Sequence, residues 1–186
     1  MRYVVVLPVV MLALLLPSRQ DPAVGGEALS RAVEEVERLD ALRSGLAGSF
    51  GATGLQATSE TFRQVCAPVG ARAREVAAQN GWTVQQLALK HRNPANALDE
   101  DARWVYELME RNPGIDGLWE HTTFAGTPGL RYFRRITVER ACLACHGPRD
   151  ERPAFVRDGY PQDRAFDFAV GDLRGLYAVF IPDSGR

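Results

Sequence analysis

From Glu27 to Ser49 apolar residues recur at three and four: Leu29, Ala32, Val33, Val36, Leu39, Leu42 and Leu46, with charges between them. This predicts an amphipathic helix whose task is packing. Gly45, Gly48, Gly51 and Gly54 then thin the pattern and predict a loop. A second stripe of Phe62, Val65, Cys66, Val69, Ala73, Val76 and Ala77 predicts a helix from about Glu60 to Gln79, stopped by Asn80-Gly81. Pro68 lies inside it. Proline lacks the N–H and crowds the carbonyl of Gln64, so a kink is expected around Cys66.

Weak alternation from Trp82 to Arg92 predicts a strand, with Leu87 and Leu89 on one side and Ala88 and Lys90 on the other. Asn93-Pro94-Ala95-Asn96 breaks it. Asp99 is placed to cap a helix from Glu100 to about Arg111 that carries Trp104, Val105, Leu108 and Met109. Gly117 to Phe124 and Leu130 to Val138 predict two strands of a hairpin, with Tyr132, Arg134, Ile136 and Val138 on one face. A short helical turn is expected from Cys142 to His146, and Arg149 to Gln162 reads as loop. Asp163 to Phe166 suggests one turn of helix, Gly171 to Gly175 a tight turn, and Leu176 to Ile181 a buried strand ended by Pro182. The sum is an α+β chain: helices first, then a small antiparallel sheet.

The length of 186 residues suits one domain, and 46% hydrophobic residues can build a core. A formal charge of −1 gives no case for nucleic acid or a polybasic membrane contact. Arg2 followed by the apolar run Val4 to Leu16, broken by Pro8, is too short to span a bilayer of ~30 Å. It suits a signal peptide over residues 1–23, with an uncleaved anchor as the alternative, and leaves 24–186 as the domain. No cysteine stands directly after the run, so no lipoprotein anchor is expected. The protein is therefore expected to be exported, to a periplasm or equivalent.

Candidate chemistry concentrates in Cys142-Leu143-Ala144-Cys145-His146, a C-x-x-C-H string. That spacing is the attachment signature of a c-type haem. Two thiols three positions apart can each add to one haem vinyl group, and the following histidine supplies an axial nitrogen. Other readings are a disulfide or redox dithiol, or a zinc site of Cys66, Cys142, Cys145 and His146. No βαβ setting supports the dithiol, and the zinc spacing is unusual. Cys66, the third cysteine, reads from its position as a small buried hydrophobe. No paired acids, nucleophile elbow or phosphate loop suggests an enzyme.

Several stretches stand together in order: Val65-Cys66 with Pro68; Leu89-Lys90-His91-Arg92-Asn93-Pro94-Ala95-Asn96; Cys142 to His146; and Tyr160-Pro161-Gln162-Asp163-Arg164-Ala165 followed by Gly171-Asp172-Leu173-Arg174-Gly175. On these the chain resembles the exported c-type haem domains with a PAS-like fold, long catalogued as a domain of unknown function. These occur as stand-alone cytochromes and as sensing parts of histidine kinases and chemoreceptors. His91 departs from the pattern, which would have an apolar residue there.

The resemblance implies a PAS-like single domain with one covalent haem c held at Cys142 and Cys145. It also implies axial ligation by His146 and Cys66, against His91, His121 and Met109 as rivals. A thiolate ligand implies a low potential, and its loss on reduction would open the iron and move its helix. The implied roles are one-electron transfer or redox and gas sensing, with a separate redox or signalling partner. Arg92, Arg164 and Arg174 read first as structural, Asp163-Arg164 and Asp172-Arg174 as turn-fixing pairs, with contact to haem carboxylates as the alternative. Asn93, Asn96, Asp163 and Asp172 read as turn-fixing residues.

Overall fold

The computed structural model describes residues 24–53 and 57–183, so the expected signal peptide over 1–23 lies outside the described residues. The first helix, α1 (Gly26–Thr53), buries Ala32, Val36 and Leu39 as the pattern predicts. It does not stop at the glycines but continues through Gly45, Gly48 and Gly51. At Gly51 a Cβ would stand 3.1 Å from Cβ of Ala141, so the bare backbone there lets α1 approach the C-x-x-C-H segment.

The expected kink is a complete break. Helix α2 (Ser59–Val65) ends and α3 (Ala67–Asn80) begins at Cys66, with Pro68 in the first turn of α3. There its missing N–H costs no helical bond. Gly81, at φ 69°, closes α3 in the left-handed conformation.

Four strands follow: β1 (Thr83–Leu87), β2 (Gly117–Phe124), β3 (Thr127–Thr137) and β4 (Leu173–Pro182). They form one antiparallel sheet in the order β1-β4-β3-β2. Between β1 and β2 lies α4 (Glu100–Arg111), and α5 (Leu143–His146) and α6 (Ala154–Gly159) precede β4. On one face Tyr177, Val179 and Ile181 of β4 and Leu130, Tyr132 and Ile136 of β3 pack on α1 and α3. On the other, Leu176, Ala178, Phe133 and Leu87 pack on Ala102, Val105, Tyr106 and Met109 of α4. Because β4 is covered on both faces, its sequence is a continuous apolar run rather than an alternation. Each fully buried side chain of this size contributes ~1.5–3 kcal/mol. This is the expected α+β, PAS-like arrangement of helices on a small antiparallel sheet.

Four local expectations are corrected. β1 ends at Leu87, so Leu87 and Ala88 are both buried and Leu89 is exposed; an Ala88–Ala97 bridge replaces the longer strand. The stretch after Arg149 is not all loop, since Pro153 leads into α6. Residues 163–166 are not helical, because Asp163 spends its side chain on the Ala165 N–H and on two arginines. The tight turn is confined to Val170-Gly171, and β4 starts inside the Gly171–Gly175 stretch.

Beneath α4 a charge is buried. Arg131 of β3 is inaccessible and donates to Asp99 at 2.7 and 3.0 Å and to Gln85 at 3.1 Å, between the Phe124 and Phe133 rings. Asp99 also caps α4 by accepting from the Ala102 N–H at 2.9 Å. Burial pushes the Asp99 carboxyl up, but the Arg131 guanidinium and the Ala102 N–H outweigh it and hold it below the usual range. Asp99→Ala should therefore cost about 1.5–3 kcal/mol in urea unfolding, because it leaves the buried guanidinium with Gln85 and the more distant Asp101 as its polar partners. Since the folded carboxyl titrates below its unfolded value, this stabilisation is complete above about pH 4 and lost as pH falls further. The variant's own stability should change less over that acid range.

Candidate functional site

A cavity of about 330 Å³ lies where α1, α2 and α3 meet the ends of β1, β3 and β4 and the C-x-x-C-H segment. Cys66, Cys142, Cys145 and His146 all line it. The segment itself is a 3-10 turn, Arg140–Cys142, running into the single turn of α5. So short a helix cannot hold itself, and polar contacts from distant stretches fix it.

The first support is a strap over residues 163–168. The Phe168 and Asp167 N–H groups donate to the carbonyls of His146 (3.1 Å) and Gly147 (2.8 Å). Asp167 returns a side-chain acceptor to the Arg149 N–H at 2.9 Å. The second support is Arg92, whose Nη2 donates to the Cys145 carbonyl at 2.6 Å. Arg92 and Arg152 share the carboxylate of Asp163, at 3.4 and 2.8 Å, and that carboxylate is wholly inaccessible. Asp163 also accepts from the Ala165 N–H at 2.9 Å, which sets the carbonyl of Ala165.

That carbonyl lies 2.8 Å from Nδ1 of His146. A carbonyl can only accept, so Nδ1 carries the proton and Nε2 keeps its lone pair. Arg92 Nη2, at 3.4 Å from the same nitrogen, is then a packing neighbour, its hydrogen bond going to Cys145. Burial, with Arg174 and Arg92 near by, holds the imidazole well below its usual pKa despite the Ala165 contact. His146 is thus a neutral imidazole with one nitrogen committed and one free, as ligation of a metal requires.

The side of the cavity formed by α2 and α3 differs. Cys66 sits on the α2–α3 break and is exposed to the cavity rather than buried in the helix stripe. Protein around it and the thiols of Cys145 and Cys142 push its pKa up to about 11, against Arg92 and Arg174. Burial likewise raises the Cys145 thiol.

Of the rival ligands, His91 lines the cavity, whereas Met109 lies in the core under α4 and His121 is exposed on β2. Among the described residues no group of three or more His, Cys, Asp or Glu is placed to hold a metal ion, which tells against the zinc arrangement. Arg92 and Arg174 line the cavity, and Arg164 is exposed away from it. Asn93 and Asp172 fix turns as expected, accepting from the N–H groups of Ala95 and Ala169.

Arg43 is a residue that sequence reasoning missed. It lines the cavity and places Nη1 3.7 Å from Sγ of Cys142, while Asp40 and Glu139 accept from it at 2.9 Å each. Its position on α1, three after Asp40, gave no signal beyond an ordinary helix-surface pair.

The Tll0287-like family profile matches residues 21–182. The chain belongs to the Tll0287-like family. A solved structure, described as the cyanobacterial haem protein Tll0287, is 43% identical to it. The match has a TM-score of 0.77 and covers 88% of this chain and 99% of that one. No curated protein matches. The family match spans all four sequence stretches from which the resemblance was drawn, and the structure gathers those stretches around one cavity. No described helix is long and apolar enough to cross a membrane.

The support of this wall by Asp163 is testable. Asp163→Ala should lower the urea-unfolding free energy by about 3–5 kcal/mol, since it leaves two guanidiniums sharing no carboxylate. Asp172→Ala, which removes an exposed turn contact, should cost no more than about 1 kcal/mol.

Proposed function

We propose that this member of the Tll0287-like family is an exported, periplasmic c-type haem protein. Haem would be bound through Cys142 and Cys145, with His146 and Cys66 as axial ligands, one haem per chain. The observation that supports it most is the meeting, around one cavity, of a neutral imidazole with a free Nε2, two thiols at the attachment spacing and a third thiol at the α2–α3 junction. The residues present fit such a group. When bound it supplies a one-electron couple at iron.

The chain's own part is to hold one ligand and leave the other free to move. His146 is locked by Ala165 and the strap. Cys66 lies at the junction of two helices; among the described residues the ion pair of α2 is the local Glu60–Arg63, whereas α3 is tied to α1 through Arg72 and Glu35. Electron transfer uses both ligands as fixed groups. Redox or gas sensing would draw on Cys66 as an exchangeable ligand and on α2 as the element able to move, and the break in the helix at that residue favours this second use. A separate redox or signalling protein would receive the output, and no enzymatic step is assigned.

The rival use of Cys142 and Cys145 as a redox dithiol is less well supported. Reactive dithiols rest on a lowered thiol pKa, and burial raises that of Cys145.

Protein expressed with export and haem attachment should give a positive pyridine haemochrome test. The covalent haem should be lost in Cys142→Ala/Cys145→Ala. Cys66→Ala should keep the haem but change the oxidised visible spectrum, and its reduced form should bind CO at least as readily as wild type. An oxidised spectrum unchanged in Cys66→Ala removes Cys66 as a ligand and leaves His91, the other histidine lining the cavity. Absence of haem from the exported wild type refutes the reading altogether.

A further inference from the structure

The cations around the cavity are unequally partnered. Arg43 meets Asp40 and Glu139. Arg92 has Asp163, though it shares that carboxylate with Arg152. Arg174, at the start of β4, has no carboxylate in ion-pair contact among the described residues. Its Nη1 donates to the Lys90 carbonyl at 3.1 Å, and its guanidinium lies over the Phe168 ring at 5.4 Å. Asp163 reaches it only at longer range and already serves two guanidiniums.

Burial and the like charge of Arg92 pull the Arg174 pKa down to about 10, which leaves it cationic at neutral pH. Half-buried where it lines the cavity, this guanidinium has a single oxygen partner for its five N–H donors and so keeps donors available to an anion there. Its planar fork matches a carboxylate, and Arg174 and Arg92 both line the cavity.

We propose that Arg174, with Arg92 beside it, binds a carboxylate carried by the ligand of this cavity; on the haem reading above, on which this rests, that carboxylate is a haem propionate. A free small anion would satisfy the same chemistry, and the test separates the two. The protein is the haem-loaded full chain: wild type, Arg174→Met, Arg174→Gln, and Arg164→Met as an exposed control.

The readouts are the propionate bending band in the resonance Raman spectrum and the reduction potential. Both Arg174 variants should shift the band and lower the potential, because a positive charge leaves the surroundings of the iron. Arg164→Met should match wild type. Two substitutions keep the comparison open should one fail to fold.

Haem bound in an Arg174 variant with band and potential as in wild type overturns the proposal. A band that stays put while added acetate changes the potential of wild type alone assigns Arg174 to a free anion and overturns the propionate assignment. If wild type carries no haem, the haem reading fails separately. Acetate binding to wild type and Arg174→Gln, followed by guanidinium NMR shifts, then decides the carboxylate claim, and binding that does not depend on Arg174 overturns it.

Discussion

The carboxylate of Asp163 is the point on which the candidate site depends. It is fully shielded from solvent, it is shared by Arg92 and Arg152, and it fixes the turn that presents the Ala165 carbonyl to His146. Arg92 in turn holds the carbonyl of Cys145. A helix of one turn, α5, has almost no stability of its own. Its geometry is imposed by this polar network and by the strap of residues 163–168. Buried ion pairs are weak contributors to net stability, because desolvation offsets most of the attraction. Their strength lies in what they exclude: any displacement of the strap that separated Asp163 from its two guanidiniums would strand buried charge. The network therefore acts as a register device for the C-x-x-C-H segment.

The fold was largely legible where burial is periodic. Leu29 to Leu46 marked α1, Leu176 to Ile181 marked the doubly covered β4, and Asp99 marked the start of α4. It was illegible where side-chain hydrogen bonds decide the backbone. Asp163 to Phe166 has a helical composition, yet Asp163 diverts its side chain to the Ala165 N–H and to two arginines. Gly45 to Gly51 reads as loop, yet the helix runs on through it, and at Gly51 the missing side chain leaves room for Ala141.

Of the residues that line the cavity, Cys142, Cys145 and His146 were singled out by their spacing and Cys66 by the resemblance. Arg43 was not, since its partners Glu139 and Cys142 lie almost a hundred residues away and no local pattern encodes them. Nor was the fully buried Arg131, whose partners Gln85 and Asp99 lie 46 and 32 residues away along the chain.

The two walls of the cavity are built by different means, and the difference bears on what the site can do. The wall of His146 is polar, cross-linked and drawn from three distant stretches of chain, so a change at any one member is resisted by the others. The wall of Cys66 is a seven-residue helix, α2, with no fully buried residue, joined at Cys66 to α3. Its apolar contacts are partial: Phe62 meets Phe155 and Tyr160 at ring separations of 5.9 and 6.4 Å. Local opening free energies follow buried contact, so α2 opens at lower cost than the buried elements beside it. α3, anchored by Val69, Ala73 and Val76, does not. A hinge between an anchored helix and a loosely held one falls at Cys66 itself. A change in the affinity of the Cys66 sulfur for whatever it binds would thus be converted first into movement of α2, and the sheet and the His146 wall would stay in place.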